Sequence, residues 1–415
     1  MGGVQPGPAV TSPAPEERID SGERIDAAER IDLVAAAPLG WRSGGSVYNE
    51  RLVDALRHNG VSVHAYSLAG DWPEGSSADR ERLASLLLGL ASDGSRAVIV
   101  DGLVGLGCPD EIAQAQRAGV AVWLLVHVSL ADLALGTHSV PASEAARLAG
   151  LERAALEACS GAIAPSRFAA RTLVERYGVE AVVAHPGIDP APQARGSKPP
   201  HLVCVAALLP AKGQLVLLEA LDALTDFPWT AALVGSDQAD RAYARAVRQA
   251  VSSPRLAGRV RLTGELRGSE LVSAWESADL SVLPSAHETF GMAVAESLAH
   301  GVPAFVPAGT GAEEALGLSL AGGAGLAGAA GQLRDPGVLA GMLRGWLTDP
   351  EEQAALRAAA RAARLVLPTW AQTATAVADA VSAQRTAGEP TSSGRNGRAT
   401  AMTEPEMWRD SPEAR

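Results

Sequence analysis

The feature that most constrains this fold is an alternation of short apolar runs with amphipathic segments, which stops once and then restarts. Before the stop, apolar runs such as Ala97–Asp101 and Ala121–Val128 are separated by helical patterns such as Pro109–Ala118. Strands that alternate with helices usually form a parallel sheet covered on both faces. The stop itself, Asp189–Pro200, carries four prolines among polar residues and is typical of a linker. We therefore predict an α/β chain with two doubly wound domains.

The domain plan follows from these composition changes. Within residues 17–32, the sequence Glu-Arg-Ile-Asp occurs three times with a period of six, which matches neither a helix nor a strand. We predict that residues 1–29 form a disordered tail. The remaining segments are a first domain at 30–188, the linker at 189–200, a second domain at 201–365, a C-terminal helix at 366–384 that can cross back to the first domain, and a disordered tail at 385–415. Parallel sheets bind ligands beyond the carboxyl ends of their strands. Two such domains facing each other predict one central cleft.

Charge excludes several classes of partner. The chain of 415 residues has 35 Lys and Arg against 47 Asp and Glu, a net charge of −12. We predict neither nucleic-acid binding nor stable membrane association, because both require basic surfaces. No apolar run approaches the roughly 18 residues of a membrane span, and the first residues lack a basic-then-apolar signal pattern. These observations predict a cytoplasmic protein.

Cysteine spacing gives no sign of a metal or redox site. Cys108, Cys159 and Cys204 are too far apart in the sequence for a zinc-binding or redox pair, and we predict that they are reduced and buried. No Asp-x-Asp pattern or histidine cluster suggests a metal either, so we predict no metal ion.

The segment 284–301 (PSAHETFGMAVAESLAHG) carries the strongest chemical signal. A strand is predicted to end before it, a turn carries Glu288, and a helix begins near Gly291 with Glu296 in its second turn. A helix start with a glycine suits a phosphate group, and a carboxylate one turn later can accept hydrogen bonds from a ribose diol. Taken alone, each glutamate is more often an ordinary solvated residue. The whole string is harder to explain in that way.

This string resembles the signature of the retaining glycosyltransferases of family four. The matching residues are Glu288, Phe290-Gly291, Glu296 and Gly301-Val302-Pro303. The resemblance extends over about residues 32–383 and implies the GT-B fold, with two Rossmann-like domains facing a central cleft. It also implies a UDP- or GDP-sugar as co-substrate and no separate cofactor. The implied donor-binding residues are Lys212, Glu288, Thr289, Phe290, Gly291, Met292 and Glu296.

The resemblance also implies an acceptor site and a catalytic set. The acceptor would lie on the first domain, against a glycine-rich loop of Gly44, Gly45 and Ser46 before a helix predicted at about Val47–Asn59. His127 and His138 would also line this acceptor site. The catalytic residues would be His127 near the reacting sugar, Glu288 on the sugar hydroxyls and Lys212 on the diphosphate. Lys212 has an argument of its own, because the chain has only one other lysine, Lys198 in the linker. An ammonium group between a strand and a helix can neutralise a diphosphate leaving group.

Three positions depart from the family pattern. Ala206-Ala207 replaces the usual Gly-Arg before Lys212, which removes one positive charge from the diphosphate site. Pro186 stands in place of an Asn, and Thr310-Gly311 replaces a Gly-Gly pair, with Glu314 at the following acidic position. These departures concern the affinity for the donor and the identity of its sugar.

The sequence therefore predicts a biosynthetic enzyme that transfers a hexosyl group with retention, without a metal and by front-face attack. We predict a small soluble acceptor, because the first-domain helices mix charges of both signs and lack a basic face. Two alternatives stay open at this stage. One is a nucleotide-sugar epimerase of similar fold, and the other is a non-catalytic nucleotide-sugar binder.

Overall fold

The computed structural model describes residues 30–37, 40–136 and 141–388. It contains two six-stranded parallel sheets, one on each side of the segment 189–200. Residues 1–29, for which a disordered tail was predicted, lie outside the described residues, as do residues 389–415 of the second predicted tail.

The first sheet has the strand order β2-β1-β3-β4-β5-β6. One of its two central strands, Ala97–Asp101, is buried along its whole length, as expected where helices cover both faces of a parallel sheet. The elements in chain order are β1 (Arg30–Ala36), α1 (Gly44–His58), β2 (Ser62–Leu68), α2 (Ser77–Ser92), β3 (Ala97–Asp101), α3 (Gly102–Gly105), α4 (Pro109–Arg117), β4 (Ala121–Leu125), α5 (Leu130–Gly136), α6 (Ala142–Ala158), β5 (Gly161–Ala164), α7 (Arg167–Tyr177) and β6 (Ala181–Val183).

The second sheet has the order β12-β11-β10-β7-β8-β9, which is the strand order of the Rossmann fold. Its elements are β7 (His201–Val205), α8 (Gln214–Asp222), β8 (Thr230–Val234), α9 (Arg241–Val251), β9 (Val260–Gly264), α10 (Gly268–Glu276), β10 (Leu280–Val282), α11 (Met292–Ala299), β11 (Ala304–Pro307), α12 (Gly311–Gly317), β12 (Gly328–Gly331), α13 (Pro336–Thr348), α14 (Pro350–Ala363) and α15 (Trp370–Gly388). One-turn 3₁₀ segments precede α8 and follow α12.

The connection between the sheets lies along the second domain. Within 189–200, the amide of Ala194 donates to the carbonyl of His300 over 2.8 Å, and that of Arg195 donates to Glu276 over 2.8 Å. Ala194 is buried. The segment has no regular secondary structure, as its prolines predict, but it is fixed to the surface at these points.

The last helix, α15, packs on the first domain. The Thr373 hydroxyl donates to the carbonyl of His185 over 2.7 Å, and the Asn59 side-chain amide donates to the carbonyl of Ala371 over 3.1 Å. Trp370 meets the ring of Tyr48 edge to face, with the centroids 5.5 Å apart. The chain therefore returns to the first domain after completing the second. The helix continues to Gly388, four residues beyond the predicted end at 384.

The structure corrects two details of the sequence interpretation. Helix α1 begins at Gly44, so that Gly44, Gly45 and Ser46 form its first turn instead of a loop before it. Ser43 causes this early start, because its hydroxyl accepts from the amide of Ser46 over 3.1 Å and thereby caps the helix. All three cysteines are free, but Cys159 is only half-buried, unlike Cys108 and Cys204.

Candidate active site

The strand order of the second sheet determines where the candidate site lies. In the second sheet, β7 and β10 are neighbours whose following connections run in opposite directions along the sheet. In doubly wound sheets, a crevice opens at such a point beyond the carboxyl ends of the strands. The loop after β7 carries Lys212, and the loop after β10 carries Glu288.

These two side chains form an ion pair. The ammonium group of Lys212 donates to Oε1 of Glu288 over 2.6 Å. The Lys212 side chain keeps 28% of its surface exposed, whereas Glu288 keeps 10%. The lysine is therefore the partner that an incoming anion can reach. The pair is neutral as a whole, so a diphosphate needs further positive groups nearby.

Backbone contacts hold the two loops together. The amide of Ala286 donates to the carbonyl of Ala211 over 2.7 Å. Gly213, just after the lysine, has a φ of +70°. A Cβ on this residue would lie 2.2 Å from the carbonyl oxygen of Pro284, so only glycine allows the loops to approach this closely. Lys212 is thereby held in place against the Glu288 loop.

Helix α11 begins beside this pair. Gly291 precedes the helix with a φ of +89°, and its first turn has no side-chain cap. The N-terminal amides of a helix favour negative charge, and here they lie directly after the Glu288 loop. Phe290 is buried in the second-domain core, and so anchors the chain just before the helix begins.

Glu296 lies one turn along α11 and is half-buried. Loss of solvent raises the pKa of its carboxyl to about 7, although Arg42 and Arg51 of the first domain act in the opposite direction. Asp189 adds to the increase. Charged groups of the first domain and of the segment between the domains therefore influence this carboxyl.

If Glu296 binds the donor ribose, as the resemblance implies, a pH dependence of nucleotide-sugar binding follows from this pKa. A ribose diol donates hydrogen bonds best to the ionised carboxylate, and at about pH 6 most of the Glu296 carboxyl is protonated. We expect the affinity for a UDP-sugar to rise about tenfold between about pH 6 and pH 8. Isothermal titration calorimetry at several pH values measures this change. Glu296→Gln is the control, and an equal slope in this variant would rule out Glu296 as the titrating group.

The start of α1 faces the start of α11 across the cleft. A Cβ at Gly44 would lie 3.6 Å from the sulfur of Met292. Met292 packs against core residues of both domains. The predicted acceptor glycines and the predicted donor helix therefore meet at one place, and the sequence alone did not show this.

His127 follows β4 at the carboxyl edge of the first sheet. Nε2 lies 2.8 Å from Oδ1 of Asn49, and a Cβ at Gly45 would lie 3.0 Å from Cδ2. Burial lowers the pKa of His127, while the nearby Asp101 carboxylate acts in the opposite direction. The lowered pKa favours the neutral imidazole at pH 7. His138, the other predicted acceptor histidine, lies outside the described residues.

A second contact joins the domains behind the candidate site. Both carboxylate oxygens of Glu314 on α12 accept from the first amides of α7, over 2.9 Å from Arg167 and 2.7 Å from Phe168. Burial by itself would raise the pKa of Glu314, but these amides and His185, 2.7 Å away, lower it. The hydroxyl of Ser166 donates to the carbonyl of Thr289. The loop of Glu288 and Thr289 therefore rests directly on the first domain.

Sequence reasoning missed several of these groups. Asn49 lies inside helix α1, and Asp101 is the last residue of β3. Nothing in the sequence suggests a function for either of them. Ser166 carries the signal of a helix cap, which its bond to the amide of Ala169 bears out. Ser285 and Gln214 flank the lysine loop, and each has a buried side-chain oxygen without a hydrogen-bond partner among the described residues.

The described residues show neither a metal-ion cluster nor a membrane-spanning helix. No group of three or more His, Cys, Asp or Glu side chains within 30–37, 40–136 and 141–388 is placed to hold a metal ion. Over the same residues, no helix combines the length and the apolar character that crossing a bilayer requires.

Sequence comparisons point to glycosyltransferases. Residues 199–335 match the family described as glycosyl transferases group 1. The chain is 30% identical over 266 residues to the D-inositol 3-phosphate glycosyltransferase of Kineococcus radiotolerans, covering 58% of this chain and 60% of the relative. A stretch of 45 residues is 51% identical to the GDP-mannose-dependent alpha-mannosyltransferase of Mycolicibacterium smegmatis, covering 11% and 12% of the two chains. These matches span less than two thirds of either curated relative.

Solved structures confirm the predicted fold. The sucrose-phosphate synthase of Thermosynechococcus elongatus superposes with a TM-score of 0.69 at 18% identity, covering 87% of this chain and all of the other. Anabaena HepE, solved in complex with UDP-glucose, gives a TM-score of 0.63 at 17% identity, covering 85% of this chain and 99% of HepE. The chain therefore has the two-domain GT-B fold of these proteins, and its residues 199–335 match the family described as glycosyl transferases group 1.

Proposed function

We propose that this protein is a retaining glycosyltransferase that moves a hexosyl group from a nucleotide-diphosphate sugar to a hydroxyl of a small soluble acceptor. The observation that carries the proposal is the Lys212–Glu288 pair, which lies at the carboxyl edge of the second sheet beside the open start of α11. It combines a reachable cation, helix amides and a carboxylate, which are the groups that a sugar diphosphate requires.

Each group has a distinct role in the proposed reaction. Lys212 and the α11 amides stabilise the negative charge that grows on the diphosphate as the sugar bond breaks. Glu288 then accepts hydrogen bonds from hydroxyls of the donor sugar, and Glu296 accepts them from the ribose. The acceptor hydroxyl, held near His127 and the start of α1, attacks from the face that the diphosphate leaves. The departing phosphate oxygen takes its proton, so no protein nucleophile and no metal ion is required.

The nature of the donor and acceptor is proposed from the relatives. UDP-glucose is bound by HepE, whereas the M. smegmatis relative is named for GDP-mannose, so both bases are candidates. The K. radiotolerans relative is named for D-inositol 3-phosphate, a small polar molecule, and its match over 266 residues is longer than the 45-residue match to the M. smegmatis relative. These names support a small soluble acceptor and a hexose donor.

We expect Arg334 to supply part of the positive charge that Ala207 does not. Its guanidinium donates to the carbonyl of Pro210 over 3.1 Å, two residues before Lys212, and it is exposed. Arg334→Ala is expected to weaken nucleotide-diphosphate binding about tenfold, in the range of one charge-assisted hydrogen bond. Arg344→Ala, on the exposed side of α13, is the matched control. Equal affinities of the two variants would remove Arg334 from the site.

Thermal shifts with UDP, GDP and ADP and their common sugars test the proposed function first. Stabilisation by one nucleotide, lost in Glu296→Ala, supports a donor site on the second domain. The full protein is then incubated with the preferred nucleotide sugar and a panel of small polyols, with and without EDTA. A glycoside whose anomeric configuration matches the donor supports retaining transfer. Turnover of the donor without an acceptor would indicate an epimerase, and binding without turnover a non-catalytic binder.

A further inference from the structure

One face of α1 encloses one side of the His127 ring. Gly45, Tyr48 and Asn49 are spaced three and four residues apart, so they share a helix face. The ring of Tyr48 meets the imidazole edge to face, with the centroids 4.9 Å apart. Asn49 Oδ1 contacts Nε2, and Gly45 leaves just enough room for Cδ2. The Nε2 side of the ring is therefore held by the helix.

Asp101 at the end of β3 determines the direction of these hydrogen bonds. Its Oδ1 accepts from the amide of Leu103 over 2.7 Å, and its Oδ2 accepts from Nδ2 of Asn49. An ionised carboxylate can only accept. The Asn49 amide must therefore turn its NH₂ group towards Asp101 and its oxygen towards His127. Because that oxygen accepts, Nε2 of the neutral imidazole carries the proton, and Nδ1 keeps a lone pair.

We infer that Asn49 and Asp101 are positioning residues that hold His127 as its Nε2–H tautomer, so that Nδ1 accepts a hydrogen bond from a substrate hydroxyl. None of the residues that the structure describes donates to Nδ1. The hydroxyl rests on the proposed function, since it belongs to the donor sugar or the acceptor. The tautomer does not rest on it, because the three side chains define it without a substrate.

The single substitution Asp101→Asn is expected to reverse the direction of the hydrogen bonds that link residue 101, Asn49 and His127. In Asp101→Asn, the new amide oxygen must still accept from the amide of Leu103, so its NH₂ group faces Asn49. Asn49 then turns its oxygen towards residue 101 and its NH₂ group towards His127. Nε2 now has to accept, and the proton moves to Nδ1. ¹⁵N NMR of histidine-labelled protein at a pH about two units above the ordinary histidine pKa distinguishes the two tautomers directly. His127→Gln assigns the resonances.

A second substitution restores the original direction. In Asp101→Asn combined with Asn49→Asp, the carboxylate at 49 accepts from both neighbours, and His127 carries its proton on Nε2 again. Asn49→Leu is a further variant that leaves the Leu103 contact of Asp101 intact and removes the acceptor at Nε2. A mixture of tautomers is expected for it. Circular dichroism and thermal melting show whether each variant is folded.

The turnover of the same proteins gives the functional readout. We expect Asp101→Asn to lower kcat/KM about tenfold, the value of one hydrogen bond, and the double variant to recover most of that loss. The inference is overturned if folded Asp101→Asn keeps its proton on Nε2, or if the double variant leaves it on Nδ1. Absence of turnover with every donor, with the tautomers behaving as stated, would instead count against the proposed function.

Discussion

Lys212→Ala is expected to lower kcat about 10²- to 10³-fold, with a smaller effect on the KM for the donor. The reason is that the charge on the diphosphate grows as the sugar bond breaks, so its cation acts most strongly in the transition state. The ammonium group also holds Glu288 over 2.6 Å. Its loss therefore leaves a carboxylate that is only 10% exposed without its counter-ion. Steady-state kinetics together with thermal melting measure both consequences.

The second lysine of the chain provides a matched control for Lys212→Ala. Lys198, the only other lysine, is exposed in the segment between the domains. Lys198→Ala makes the same chemical change and is expected to leave kcat unaltered. Lys212→Met combined with Glu288→Gln removes both charges, so it separates lost catalysis from an unpaired carboxylate. If kcat in Lys212→Ala stayed within about twofold of the wild-type value, the assignment of Lys212 would be wrong.

Gly311→Ala is expected to disrupt the proposed donor site through the backbone. A Cβ at this residue would lie 2.0 Å from the carbonyl oxygen of Thr289, and the Gly311 amide itself donates to the carbonyl of Glu288 over 2.7 Å. The loop of Glu288 and Thr289, the two proposed donor-binding residues, has to move by about 1 Å or more, which can cost about 100-fold in rate. We also expect a loss of about 2–4 kcal/mol in the free energy of unfolding.

Gly317→Ala lies at the other end of the same helix and provides the comparison. Apart from its chain neighbours and the backbone of its own helix, no heavy atom of the described residues lies within 4 Å of a Cβ at Gly317, whose backbone is helical. Alanine there is expected to raise the free energy of unfolding by about 0.5–1 kcal/mol and to leave turnover unchanged. Urea unfolding and steady-state kinetics on both variants test the pair. Similar behaviour of the two would mean that the close approach to Thr289 does not determine the position of the loop.

The sequence predicted most of the second domain in detail. The strand ending before residue 284, the turn with Glu288 and the helix after Gly291 are all found, because their apolar patterns and turn residues are local signals. Strands β6 and β12 were not predicted. The first is only three residues long, and the second, Gly-Ala-Ala-Gly, has almost no apolar side chain to form a pattern.

Helix α1 illustrates a different reason for error. Its first turn contains two glycines, which have a low helix propensity and favoured a loop in the sequence interpretation. The reciprocal bonds between Ser43 and Ser46 start the helix nonetheless. Small residues are useful at this position, because Gly45 allows the ring of His127 to lie against the helix. The conflict between local propensity and structure therefore coincides with the candidate site.

By itself, the sequence determined the two-domain α/β architecture and the second-domain motif, and it predicted a role for Lys212, since each depends on residues close together along the chain. Only the tertiary structure brought Lys212 to Glu288, Gly44 to Met292, and Glu314 to the start of α7. The same holds for Asn49 and Asp101, which are 52 residues apart and meet at His127. Such contacts depend on which strands are neighbours and on how the two domains face each other, and neither leaves a periodic signal in the sequence.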